Sequence, residues 1–305
     1  MIQASFLQQL VDRHRVRCSQ GEIVTYIPLL KEQDPGALGI AVLTADGCCW
    51  EAGASRTPFT LQSISKVASL ILALSDRGED EVFSKVGMEP TGDPFNSIYK
   101  MEVFSSRKPL NPMINAGAMV VCSLIKGNTV SECLERFLSL VRSMAGNDKI
   151  DSIEAVYQSE QAHAHRNRAL AHLLKELNLI DDVDATLELY LRQCSVQVDC
   201  VDLANMGFCL AQYGSDRHGN LLFSESLARL VKTFMVTCGM YNASGEFAIK
   251  VGIPAKSGVS GGILASVPSR MGVGVFGPSL DEKGNSVGGC AVLRELSCEW
   301  GLSIF

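Results

Sequence analysis

Strand-like segments lie towards both ends of this 305-residue chain, and the stretch between them, roughly 112 to 212, carries helical patterning almost throughout. Ends that pair in one sheet around such a block predict an α/β (α+β) fold, an antiparallel sheet flanked by helices with an inserted all-helical domain. The expected division is 1–62 with 223–305 as the split α/β domain, and 63–222 as the mainly helical domain. Residues 40–43 and 48–52 flank Asp46-Gly47, a hairpin signal. Phe6, Leu7, Leu10, Val11 and His14 recur at helical spacing near the N-terminus. The run 63–75 is rich in Ala, Leu, Ile and Val and stops at Asp76-Arg77-Gly78, which predicts a buried helix. Further helices are expected over 116–125, 130–145, 152–177, 184–193 and 224–236, and strands over 247–253, 256–264, 270–276 and 288–292.

Composition narrows the function by exclusion. A 47% hydrophobic and 20% charged chain is ordinary for a globular protein with ample core. Its net charge of −6 argues against nucleic acid or an anionic membrane as main partner and favours a small-molecule substrate. The first 21 residues scatter Gln8, Gln9, Asp12, Arg13, Arg15 and Arg17 among apolar positions, so no export signal is read and a cytoplasmic location is expected. The eleven cysteines include no CxxC pair and mostly sit in apolar runs, which predicts reduced, buried thiols. The five histidines form no metal-ligand spacing, and neither a metal nor a cofactor is called for.

Two short motifs carry the chemistry: Ser63-Ile64-Ser65-Lys66 and, some two hundred residues later, Lys256-Ser257-Gly258. Residues three apart share a helix face, so Lys66 lies one turn from Ser63. At a helix start, free N–H groups and the positive dipole end favour a developing oxyanion at Ser63. Lys66 in an apolar helix suffers a desolvation penalty that lowers its pKa and suits it as a base. Gly258 lets backbone pass close to a ligand, and the following N–H, that of Val259, can serve as a second oxyanion donor. Neither motif suffices alone, since SxxK also occurs at Ser97, Ser105 and Ser123. Their order across a helical block points to a serine amidohydrolase with lysine as proton partner.

The remaining strings make the chain resemble the serine-dependent glutaminases along nearly its whole length. They are Thr25-Tyr26-Ile27-Pro28, Gln62-Ser63-Ile64-Ser65-Lys66, Asn111-Pro112-Met113-Ile114-Asn115-Ala116-Gly117-Ala118, Met144-Ala145-Gly146-Asn147, Ser159-Glu160 and Arg166-Asn167. Tyr190, Cys194-Ser195, Cys238-Gly239-Met240-Tyr241 and the run Gly252 to Gly262 complete the set. The resemblance implies a β-lactamase-like fold and hydrolysis of L-glutamine to L-glutamate and ammonia through a glutamyl ester on Ser63. It implies Lys66 as the base, with Tyr241 and Tyr26 assisting proton transfer, and the N–H groups of Ser63 and Val259 as the oxyanion hole. It implies Asn115, Glu160, Asn167 and Tyr190 as the holders of the amino-acid end, Lys256 in support, and a homodimer or homotetramer. That set makes chemical sense, because a free amino acid needs one anion for its ammonium and neutral donors for its carboxylate. Taken singly, Asn115 also reads as a helix cap, and Glu160 with Asn167, seven apart, as a solvated pair on one helix face. The rival functions are a β-lactam-hydrolysing or penicillin-binding serine enzyme, which lacks a Ser-Asp-Asn element here, and a catalytically silent glutamine-binding protein.

Overall fold

The computed structural model describes residues 4–25, 27–92 and 108–305; Tyr26 falls outside them. Helix α1 (Ala4–Arg15) buries Leu7, Leu10, Val11 and His14, the stripe its spacing predicts. The Asp46-Gly47 turn, with Gly47 at φ 84, joins β1 (Gly39–Thr44) to β2 (Cys49–Gly53) with Leu43 opposite Cys49. After β3 (Phe59–Thr60) comes α2 (Ser65–Lys85). Its geometry breaks where a stop is expected, at Gly78 (φ 77, ψ 170), but the chain then re-enters helix as far as Lys85.

The helical block follows: α3 (Asn115–Ser123), α4 (Val130–Ala145), α5 (Glu154–His163), α6 (His165–Glu176) and α7 (Val183–Cys194). Helix α4 starts on the Thr129 hydroxyl, which accepts the Glu132 N–H, and ends on left-handed Gly146. The single helix expected over 152–177 is two helices instead. The chain leaves helical geometry at Ala164 (φ −78, ψ 31), so Glu160 and Asn167 sit on different helices rather than on one face.

Strand β4 (Gln197–Val198) pairs with β3, and α8 (Cys200–Ala211) opens on a capping box of Asp199 and Asp202. Helix α9 (Glu225–Cys238) leads to α10 (Ser244–Lys250), where a strand over 247–253 was expected. Only Ser244 and Phe247 of α10 are buried, a helical interval, and Glu246 pairs with Lys250 one turn on. Strands β5 (Ala255–Ser257), β6 (Gly262–Val267) and β7 (Met271–Phe276) follow, so the segment 256–264 is two strands of a hairpin rather than one. The last expected strand, 288–292, lies inside α11 (Val287–Trp300), which starts on the Ser286 hydroxyl.

The main sheet is antiparallel throughout, in the order β2-β1-β7-β6-β5, so the hairpin near the N-terminus and the strands near the C-terminus close one layer. Alternation assigns its two faces. Ile40, Val42, Val273 and Val275 join Leu7, Leu10, Val292 and Leu296 of α1 and α11 in one core. Ala41, Leu43 and Leu264 face the larger core, which takes in α8, α2 and the helical block. Helix α8 lies close on the sheet because β7 alternates valine with glycine. A Cβ on Gly272 would come 2.0 Å from the carbonyl oxygen of Ala204, and one on Gly274 would come 2.1 Å from that of Cys200.

Among the described residues no helix is long and apolar enough to cross a membrane. All eleven cysteines are free; Cys18, Cys122, Cys133, Cys194, Cys200, Cys209 and Cys238 are buried, whereas Cys48, Cys49 and Cys298 are exposed.

Candidate active site

Ser63 lies in a 3₁₀ turn, Gln62–Ile64, that feeds directly into α2, two residues before the α-helix itself. Gln62 holds φ 48, in the left-handed region that a non-glycine residue enters only when its surroundings compensate. Those surroundings are visible: the Gln62 carbonyl accepts the Ser65 hydroxyl at 2.7 Å, and the Gln62 amide donates to Thr60 and to a carboxylate oxygen of Glu160.

One turn on, Lys66 is 2% exposed among Val67, Leu70 and the other apolar residues of α2. Its ammonium donates to Asn115 Oδ1 at 2.7 Å and to the Met113 carbonyl at 3.2 Å. Burial lowers its pKa to about 8. Among the described residues no hydrogen bond joins Lys66 Nζ to Ser63 Oγ. Asn115, the first residue of α3, passes the chain on by donating to Asn167 Oδ1 at 3.1 Å. Lys66, Asn115 and Asn167 therefore form a continuous polar line out of the core.

The second motif arrives from β5. Ser260 Oγ donates to the Thr60 carbonyl at 2.6 Å, and Gly258 passes so close to Leu61 that a Cβ would lie 2.7 Å from the Leu61 oxygen. Val259, between these two contacts, lines the same cavity as Ser63. Lys256 is fully buried, and burial first, then the neighbouring Lys66, pushes its pKa well below the lysine range. Its ammonium donates to the Ser257 carbonyl at 2.6 Å and lies 4.3 Å from the centroid of the Tyr241 ring. The Tyr241 hydroxyl donates to the same carbonyl at 3.1 Å, and Tyr241 itself holds φ 54. Two of the five left-handed non-glycine residues among the described ones, Gln62 and Tyr241, thus belong to this region.

A cavity of about 190 Å³ is lined by Ser63, Asn115, Glu160, Asn167, Tyr190 and Val259. Six positions read from the sequence, spread across 63–259, converge on it. Lys66 lies behind its wall, joined through Asn115, and Tyr241 packs beside Val259 and Ile27 in a small apolar cluster. Glu160 is buried, and desolvation raises its pKa to about 7 against the opposing hydrogen bond from Gln62. Burial pushes the Tyr190 phenol well above its usual value, which keeps it a neutral donor. The pocket thus presents one carboxyl, three side-chain amides and a phenol around a serine, with His163 and Arg166 also in its lining.

Gln62, His163, Arg166 and Cys194 also line the cavity; the sequence suggests a role only for His163, one of the basic residues around Asn167 expected either to tune substrate affinity or to have no effect. Gln62 was inside a quoted motif; its left-handed backbone and its bond to Glu160 have no signature in a single sequence.

A family model described as Glutaminase matches residues 21–305. A glutaminase from Geobacillus thermodenitrificans is 55% identical over 301 residues, covering 98% of this chain and 97% of that protein. A crystal structure of a Bacillus glutaminase in 4.3 M NaCl superposes with a TM-score of 0.92 at 43% identity, covering 99% of each chain. A Bacillus subtilis glutaminase in covalent complex with 5-oxo-L-norleucine, formed by reaction with 6-diazo-5-oxo-L-norleucine, superposes with a TM-score of 0.88 at 41% identity over 99% of both chains.

Proposed function

The chain belongs to the glutaminase family, and from that premise we propose that it hydrolyses L-glutamine at Ser63 through a glutamyl ester. The observation that carries this reading is the buried Lys66, one turn from Ser63 and tied through Asn115 to the cavity that Ser63 lines. With a pKa of about 8, roughly a tenth of Lys66 is neutral at pH 7, against well under a thousandth for an exposed lysine. Covalent capture of the related Bacillus subtilis protein by a diazo-ketone analogue fits a nucleophile in this pocket.

Glu160 takes the substrate's ammonium, and Asn115, Asn167 and Tyr190 donate to its α-carboxylate, which aims the side-chain amide at Ser63. Lys66 turns from Asn115 towards Ser63 and accepts the hydroxyl proton as Oγ bonds to the amide carbon. The carbonyl oxygen becomes an oxyanion held by the N–H groups of Ser63 and Val259. As the C–N bond breaks, the proton on Lys66 passes to the leaving nitrogen, with Tyr241 and Tyr26 relaying it, and ammonia departs. Water then gives up a proton to Lys66, attacks the ester carbon and releases L-glutamate, and Ser63 recovers its proton. Lys256 fixes the Ser257 carbonyl and the face of Tyr241. A cytoplasmic location and assembly into a homodimer or homotetramer belong to the same proposal; the eleven free cysteines support a reducing compartment.

Ammonia release from L-glutamine by wild type and by Ser63→Ala tests the reading, with L-asparagine and D-glutamine as controls. Wild type is expected to prefer L-glutamine and Ser63→Ala to be inert; an alanine variant that kept most of the activity would show the nucleophile to lie elsewhere.

A further inference from the structure

A second cavity, of about 560 Å³, meets the one around Ser63 at a single residue, Val259, which lines both. Its walls are the segment 20–25 and the turn 280–284, tied together by the paired backbones of Glu22 and Leu280, and Asn242 completes it. The volume falls within the range of small-molecule sites. Where the two cavities meet decides what the second can hold. Glu160, Asn115, Asn167 and Tyr190 line only the first, so the amino-acid end of the substrate lies away from the junction. Val259 carries the second N–H of the proposed oxyanion hole, and Asn242 follows Tyr241, the proposed relay to the leaving nitrogen. The second cavity therefore adjoins the reacting amide on the side from which its nitrogen departs. The first, at about 190 Å³, is filled by an amino acid, so a leaving or entering group larger than ammonia has to occupy the second.

The ionisable lining of the second cavity is three carboxylates, Glu22, Asp281 and Glu282, against Lys283 alone. Lys283 pairs with Glu246, which lies outside the lining. All three carboxylates are exposed, and none joins an ion pair among the described residues; Asp281 accepts the backbone N–H groups of Lys283 and Asn285. Beside them Val24, Val259 and Leu280, all buried, form part of one apolar cluster with Ile27 and Tyr241. Carboxylates next to an apolar wall ask for a cation carried on a hydrocarbon spacer.

We propose that this cavity is the leaving-group side of the active site and takes a cationic alkyl amine, its charged end among Glu22, Asp281 and Glu282, its hydrocarbon against Val24, Val259 and Leu280, and its neutral amine at the glutamyl ester on Ser63. This assignment rests on that ester, and so on the glutaminase reading. The amine nitrogen bonds to the ester carbon and the bond from that carbon to Ser63 Oγ breaks. The proton given up by the amine passes through Lys66 to Oγ. The product is an N-substituted glutamine, formed where water would have released L-glutamate. In reverse, the same subsite holds the amine of such a compound as it leaves.

The test uses full-length protein, L-glutamine and three primary amines of similar length, 1,4-diaminobutane, n-butylamine and 4-aminobutanoate, at about pH 9, where part of each amine is neutral. Mass spectrometry measures the amide formed, and ammonia release measures total turnover. The ratio of amide to L-glutamate is expected to be about tenfold higher with the diamine than with butylamine, and lowest with 4-aminobutanoate. E22Q/E282Q, which alters only exposed side chains, is expected to bring the diamine down to the level of butylamine, with its circular dichroism and its ammonia release from L-glutamine alone unchanged. Ammonia release with no amide from any of the amines overturns the subsite and leaves the glutaminase reading standing. Equal ratios for the three amines, or a variant that keeps the preference for the diamine, overturn the assignment of a cation to this cavity. A wild type that releases no ammonia at all refutes the glutaminase reading, and the subsite falls with it.

Discussion

Gln62→Met removes two hydrogen bonds, to Thr60 and to Glu160, and the second is the one expected to bear on substrate capture. The Gln62 amide donates to Glu160, and that bond opposes the desolvation that holds the carboxyl at about 7. Methionine keeps the length of the side chain and meets the same backbone cost at φ 48, but offers no donor. A hydrogen bond to a charged group is worth about 1.5–3 kcal/mol, and about 1.36 kcal/mol is one pKa unit, so the carboxyl moves up by roughly one to two units. On the proposed reading Glu160 binds the ammonium only when ionised. At pH 7.5 the ionised fraction then falls from about three quarters to roughly a quarter or less, and KM for L-glutamine rises roughly 3- to 20-fold. Because ionisation increases with pH, the ratio of variant to wild-type KM shrinks as the pH is raised towards 8.5. Steady-state ammonia release across this range measures it. A KM ratio that stays constant with pH would refute the reasoning, since Gln62 would then be acting by some route other than the charge of Glu160.

Three further outcomes are expected. In the wild type kcat climbs with pH through about 8, because Lys66 acts when neutral and burial has lowered its pKa to that value; a flat profile through that region would remove Lys66 as the base. Glu160→Gln raises KM far more than Tyr241→Phe, because only Glu160 pairs the substrate's ammonium, and comparable KM effects would undo this division of roles. Gly272→Ala forces a methyl against the backbone of Ala204 and Phe208, each 2.0 Å away, and is expected to lose about 2–3 kcal/mol in urea unfolding if α8 cannot lift off the sheet.

What could be read in advance divides along physical lines. Helix α4 was legible to the residue because its signals are local: the Thr129 cap, an apolar stripe and Gly146. The β1–β2 hairpin was equally plain from Asp46-Gly47 between apolar runs. Segment 288–292 misled because a short run of small and apolar residues, Gly288-Gly289-Cys290-Ala291-Val292, fits a strand as well as a buried helix. Its helical state shows only in the longer spacing of Val292, Leu293 and Leu296, with Ser286 as the start. The break at Ala164 carried no proline or glycine and so no warning. In the site, residue types and motif order pointed to Ser63 and Lys66, whereas Glu160 and Asn167 came only from the resemblance to the glutaminases. The bond from Lys66 to Asn115 and the left-handed turns at Gln62 and Tyr241 are products of packing between segments far apart in the chain, which no local pattern encodes.

The seam where Ser260 holds Thr60 across 200 positions has a consequence for biosynthesis. A growing chain carries Ser63, Lys66, Glu160 and Asn167 long before residue 259 has been made, and until then the serine turn lacks both its backing strand and the second N–H of the proposed oxyanion hole. A contact of such sequence separation is closed late, after its loop entropy has been met. On the proposed reading the unfinished polypeptide is expected to be inert towards glutamine and towards stray acyl donors, and truncations that stop before β5 to be dead whatever helical structure they keep. Turnover becomes a readout of the completed fold, which makes recovery of ammonia release during refolding a direct clock for the last docking step.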